Sequence, residues 1–166
     1  MLGSIDGFAP YWQNELFHRL RRHCRGTLYV IGLEPLPLSG AAAAATAAHS
    51  APQARCLAEI ARLRDVAVRA SGRRPYREFP EAATHTLLAQ AGFAVEQVAR
   101  FPSHYSLAFV LRQVAVARNF AAKMSASSEL RQSLAIELDQ CEAEARALHW
   151  PATFGNDYII VCHVSH

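Results

Sequence analysis

YWQNELFHRLRRHC at positions 11–24, then Gly26, then TLYVIGL at 27–33, is the stretch whose reading decides the fold. Trp12, Leu16, Phe17 and Leu20 recur at helical spacing with Arg19, Arg22 and His23 on the other side, so Tyr11 to Cys24 reads as an amphipathic helix. Gly26 stands where a left-handed cap would end it. Thr27 to Leu33 is a nearly unbroken apolar run rich in β-branched and aromatic residues, which reads as a buried strand. Such a run directly after a helix predicts a parallel α/β sheet covered on both faces, because a strand with one wet face alternates.

Outward from that strand, the prolines of Glu34-Pro35-Leu36-Pro37 forbid further ladder pairing. Residues 39–52 form a low-complexity, alanine-rich insertion around Ala41 to Ala48 whose side chains are too small to build a core, so it reads as solvated. Helical spacing resumes from Cys56 through Leu57, Ile60, Leu63, Val66 and Val68, and Ser71-Gly72-Arg73-Arg74-Pro75 breaks it. Pro80 and Glu81 open another helix that Gly92 closes, and Phe93 to Phe101 follows as a strand. Ser106 to Lys123 and Glu129 to His149 are a final helical pair, and Asp157 to Val164 is a closing strand. The expected order is helix, strand, helix, helix, strand, helix, helix, strand.

The chain has 166 residues, 51% hydrophobic and 19% charged, which allows one core of ordinary size and excludes a disordered or fibrous chain. Seventeen Lys and Arg stand against fourteen Asp and Glu, and Lys123 is the sole lysine. An excess of three charges without a dense basic cluster argues against nucleic-acid binding through this chain alone. No run approaches the eighteen apolar residues of a membrane span, so no membrane partner is expected. Cys24, Cys56, Cys141 and Cys162 form no Cys-x-x-Cys pair and read as buried thiols in a reducing, intracellular compartment, with cytoplasm and organellar matrix equally compatible. The eight histidines are scattered, and neither His18 with His23 nor His163 with His166 has the spacing of a shared metal, so no metal site is expected. There is no Gly-x-Ser-x-Gly, His-Glu-x-x-His or phosphate loop to support a hydrolase.

Three segments taken together resemble the C-terminal half of class I S-adenosylmethionine-dependent methyltransferases. They are Gly26 to Pro35, then Pro75-Tyr76-Arg77-Glu78-Phe79-Pro80 with the helix ending Ala91-Gly92-Phe93, then Phe154-Gly155-Asn156-Asp157-Tyr158-Ile159-Ile160-Val161. The resemblance covers nearly the whole chain. It implies a partial Rossmann-like sheet, the last three or four of seven strands, flanked by helices, in which a seventh strand returns antiparallel between the fifth and sixth. It also implies in-line methyl transfer from S-adenosylmethionine to an acceptor that the protein positions.

The family's glycine-rich loop and ribose-binding acid have no counterpart in this sequence. The chain therefore reads as a single methyltransferase-like half domain over 1–166, which needs an N-terminal half to hold the cofactor and binds none alone. Gly3, Ser4, Ile5 and Asp6 resemble the end of the fourth strand and would be its cofactor-proximal remnant. On the substrate side the candidates are Glu34, at the carboxyl end of the first strand, and Tyr76, Arg77 and Glu78, which gather an aromatic, a cation and an acid before a helix N-terminus. No catalytic residue can be named. The alternative is a cofactor-less structural or assembly subunit derived from such an enzyme. Either way the apolar strand Thr27 to Leu33 lies at a sheet edge, and another chain or a second copy is expected to cover it.

Overall fold

A computed structural model describes residues 12–35, 51–76 and 78–165. Its elements are α1 (Gln13–His23), β1 (Thr27–Leu33), α2 (Pro52–Ala70), α3 (Glu81–Gln90), β2 (Phe93–Tyr105), α4 (Leu107–Ala121), α5 (Ser128–Ala147) and β3 (Ala152–Val164). The order is the expected one, and the chain is α/β. Helix ends follow their local chemistry. Glu15 lies in the first turn of α1, and Arg21, Arg22 and His23 in its last, each complementing the helix dipole. The hydroxyls of Ser106 and Ser127 accept the free N–H groups of Phe109 and Leu130 at the starts of α4 and α5. Gly92, with φ of +86°, makes the left-handed turn from α3 into β2, as its position predicts. Gly26 does not adopt that conformation; α1 ends instead with Cys24 turning directly into extended backbone.

The three strands form an open antiparallel sheet in the order β1-β3-β2. β1 pairs antiparallel with β3 from Thr27 opposite His163 to Leu33 opposite Asp157. This corrects the expectation of a parallel sheet covered on both faces. Val30 is buried, but Tyr29 and Ile31 on the other face are 66% and 41% exposed. A strand covered on both faces would bury these two positions as well. β2 and β3 also run longer than their sequence signals, to Tyr105 and from Ala152.

Where length implied one core, the described residues form two hydrophobic clusters, and the chain divides into two compact units. The first unit holds α1, β1, α3, β2 as far as Pro102 and β3 from Gly155. Its core sets Phe17 of α1, Leu88 of α3 and Phe93 against Val30, Tyr158, Ile160 and Cys162 on one sheet face. The second unit is built from the segments between β1 and α3 and between the two long strands. Helices α2, α4 and α5 pack pairwise there around Leu57, Ile60, Val110, Val114 and Leu138. Tyr105 stacks on Phe154 in that unit at 4.5 Å between ring centres. The alanine-rich segment 39–52 lies largely outside the described residues; its last two residues are Ala51 and Pro52 at the start of α2.

Of the four thiols expected to be buried, Cys56, Cys141 and Cys162 are, and Cys24 is partly exposed. Burial pushes Cys56 up to about 12 and both Cys141 and Cys162 up to about 11, with carboxylate neighbours adding to the rise for the first two. A thiol so far from ionisation is no nucleophile at neutral pH.

Candidate functional site

The carboxyl end of β1 brings Glu34 together with the start of α3. α3 begins after Pro80, whose side chain cannot accept a hydrogen bond, so its first free N–H group needs another acceptor. Glu34 supplies it: the N–H of Glu81 donates to Glu34 Oε1 at 2.8 Å. The backbone N–H of Glu34 donates to the Asn156 carbonyl at 2.9 Å, fixing the residue to β3. Glu34, expected as a substrate-side acid, thus gives one carboxylate oxygen to holding a helix. Replacing it with alanine should cost about 1 kcal/mol, the usual worth of a helix cap, whereas Glu34→Gln keeps an acceptor and most of that stability. Chemical denaturation checks this, and equal midpoints for the two variants would remove the capping role.

Tyr158 is the pivot beside this cap. Its hydroxyl donates to the Phe79 carbonyl at 2.9 Å and lies 2.8 Å from Thr84 Oγ1. Because the carbonyl can only accept, the tyrosine proton is committed there and Thr84 must be the donor in the second bond. Burial pushes the phenol above its ordinary pKa. The Thr84 hydrogen bond works against this rise, and the carboxylates of Glu34, Glu78 and Glu81 add to it. Tyr158 is therefore a neutral donor that positions the α3 N-terminus. The Tyr158 ring lies across Gly32, its direct partner on β1; a Cβ on Gly32 would come within 2.4 Å of it. Sequence reading passed over Tyr158, Thr84 and Gly32. One signal was present, since an isolated glycine in a strand marks a close approach.

Of the other expected substrate-side residues, Tyr76 donates to Glu78 Oε1 at 3.4 Å. Arg77 lies outside the described residues, as do Gly3, Ser4, Ile5 and Asp6. Arg100 donates to both oxygens of Glu81, at 2.5 and 2.7 Å, and neutralises that acid. The described groups here are thus the buried Tyr158 phenol, its proton spent on Phe79, the Tyr76–Glu78 pair, and Glu34 with one oxygen on the α3 N-terminus.

Two arginines of α1 are engaged within the chain. Arg19 pairs with Glu15 at 2.6 Å, while Arg21 spends its guanidinium on the carbonyls of Gly92 and Ser165, both at 3.0 Å. A depression of about 620 Å³ is lined on α1 by Asn14, Glu15, His18, Arg19, Arg22 and His23, none of them an expected substrate-side residue. His163 pairs with Glu96 at 3.0 Å. Among the described residues no group of three or more His, Cys, Asp or Glu is placed to hold a metal ion, and no helix is long and apolar enough to cross a membrane. No family model, curated protein or solved structure matches the chain.

Proposed function

We propose that this chain is the substrate-side half of an S-adenosylmethionine-dependent methyltransferase, working with a cofactor-binding half that supplies the glycine-rich loop and the ribose acid. The observation that carries the reading is the strand order β1-β3-β2 with β3 antiparallel to β1. It is the arrangement of fifth, seventh and sixth strands that the family resemblance implies. The sharp Gly92 turn from α3 into β2 supports the same correspondence.

The cofactor itself does not fit this chain alone. Its sequence brings no glycine-rich phosphate or amino-acid cradle, and the described residues leave no orphaned donors converging on a ligand. No step of the transfer is therefore assigned to these residues. Their part is to hold and orient the acceptor. Glu34 and Tyr158 set the end of β1 against the start of α3, and Tyr76 and Glu78 stand beside them. Precise placement of the acceptor is a large share of catalysis in a displacement reaction, which makes such a rim worth its rigidity.

Calorimetric titration with S-adenosylhomocysteine tests the reading on two samples. The lone chain is expected to give no saturable heat, and the complex isolated from its source is expected to bind. Silence from both would leave the cofactor-less assembly subunit as the better description. Saturable binding by the lone chain would overturn the half-domain assignment.

A further inference from the structure

Helices α2 and α4 pack side by side in the helical unit, tied by Arg64 of α2 donating to Gln113 of α4 at 2.8 Å. Their C-terminal ends bring two cations onto one ring. Gly72, with φ of +80°, turns the chain out of α2, and the Arg73 N–H donates back to the Val68 carbonyl at 3.1 Å, which fixes Arg73 just past the helix end. Arg73 Cζ lies 5.9 Å from the centre of the half-buried Phe120 ring. Lys123 follows α4 in a tight turn, its N–H donated to the Phe120 carbonyl at 2.9 Å, and its Nζ is also 5.9 Å from that ring. Both distances are within cation–π range. A cation at each helix end complements the dipole there, which accounts for each charge singly. It does not account for their meeting, because two like charges on one ring repel and a shared anion removes that repulsion.

The local sequence supplies no counter-charge. Residues 66–77 hold four arginines and residues 97–128 hold three arginines and Lys123, and neither segment contains an Asp or Glu. The acids of α2 and α5 are engaged elsewhere: Glu59 and Glu137 with Arg62, Asp65 with Arg64, Asp139 and Glu142 with Arg118. Among the described residues neither Arg73 nor Lys123 forms an ion pair. The residues outside the description contain a single acid, Asp6, and segment 36–50 contains none. We propose that Arg73, Lys123 and Phe120 form a binding site for the phosphate monoester group of a small soluble molecule. The guanidinium offers two parallel N–H donors to two phosphate oxygens, and the ammonium offers a point charge to the third. A monoester carries nearly two negative charges at neutral pH, which matches two cations, whereas a carboxylate or a phosphodiester brings one. The site belongs to the helical unit and does not depend on the methyltransferase reading.

The test titrates the full chain with inorganic phosphate at about pH 8, where it is a dianion, at constant ionic strength. Lys123 is the sole lysine, so reductive methylation with a carbon-13 label, which keeps its charge, places a single lysine NMR signal at the site. That signal is expected to move saturably with phosphate and not with chloride. Arg73→Gln, at an exposed position, should weaken the apparent affinity at least tenfold with an unchanged melting temperature, and Arg73→Lys, which keeps the charge and loses the fork, should weaken it less. Arg25→Gln, an exposed cation of the sheet unit, should leave it unchanged. Absence of a saturable shift, an equal response to chloride, or indifference to Arg73→Gln overturns the proposal. So does tighter binding, per phosphate group, of an oligoribonucleotide without terminal phosphates, which would make the site a nucleic-acid contact, or a response confined to vesicles of phosphatidylcholine with phosphatidic acid, which would make it a membrane contact.

Discussion

Gly32→Ala is expected to destabilise the protein by about 3 kcal/mol, whereas a glycine-to-alanine change in a strand with room for the methyl stabilises by about 0.5–1 kcal/mol. The added Cβ would sit 2.4 Å from the Tyr158 ring, well inside contact distance. Overpacking of this kind costs roughly 1–3 kcal/mol. The ring cannot retreat freely, because its hydroxyl is held by Phe79 and Thr84 and the side chain is only 2% exposed. Moving it breaks two buried hydrogen bonds worth roughly 0.5–1.5 kcal/mol each. A loss of this size lowers the melting temperature by something on the order of 10 °C or more. The control is a double-mutant cycle. Tyr158→Leu removes the ring, so Gly32→Ala should cost far less in that background, giving a coupling of 1 kcal/mol or more. Additive effects would show that glycine and ring do not meet.

The same pair shows which parts of the molecule were legible in the sequence. The order of elements was, because it rests on local signals: the spacing of Leu16, Phe17 and Leu20, the stop at Gly92, and the β-branched runs at 27–33 and 157–164. Pairing was not. The partner of β1 lies about 130 residues away, and an apolar run reads alike whether its neighbour is parallel or antiparallel. Nor does such a run tell whether its second face meets a helix of the same chain. At the site, Glu34 was placed at the end of the strand, but its bond to the Glu81 N–H depends on α3 folding back across 47 residues. That contact turns a presumed substrate acid into a cap. Tyr158 was read only as part of a strand, since nothing local announces that its ring lies on Gly32. Two hydrophobic clusters rather than one were equally invisible. The segments of the helical unit are interleaved with those of the sheet unit, and each has ordinary composition.

Phe17→Ala should separate those two cores. Phe17 is fully buried and is, among the described residues, the helix α1 contribution to a cluster of eight buried residues that includes Val30, Leu88, Phe93, Tyr158 and Ile160. Truncating a buried phenylalanine costs roughly 3–5 kcal/mol, through lost transfer energy and the cavity left behind. A small cluster has few neighbours able to collapse into the gap, which places the cost toward the upper end. The helical unit draws on a different and larger set of buried residues, none of which touches the deletion by cluster membership. Two tryptophans make the difference measurable. Trp12 precedes α1 in the sheet unit, and Trp150 is in the helical unit, with its indole N–H donated to the Ala145 carbonyl at 2.8 Å. Denaturation followed in Trp150→Phe reads Trp12 alone, and in Trp12→Phe it reads Trp150 alone. Introducing Phe17→Ala should move the Trp12 transition to much lower denaturant and shift the Trp150 transition far less. The two probes then cease to coincide, the signature of unfolding that is no longer two-state. If both transitions fall together by the same amount, the two clusters unfold as one cooperative core, and the division of the chain into separate hydrophobic units has no energetic meaning.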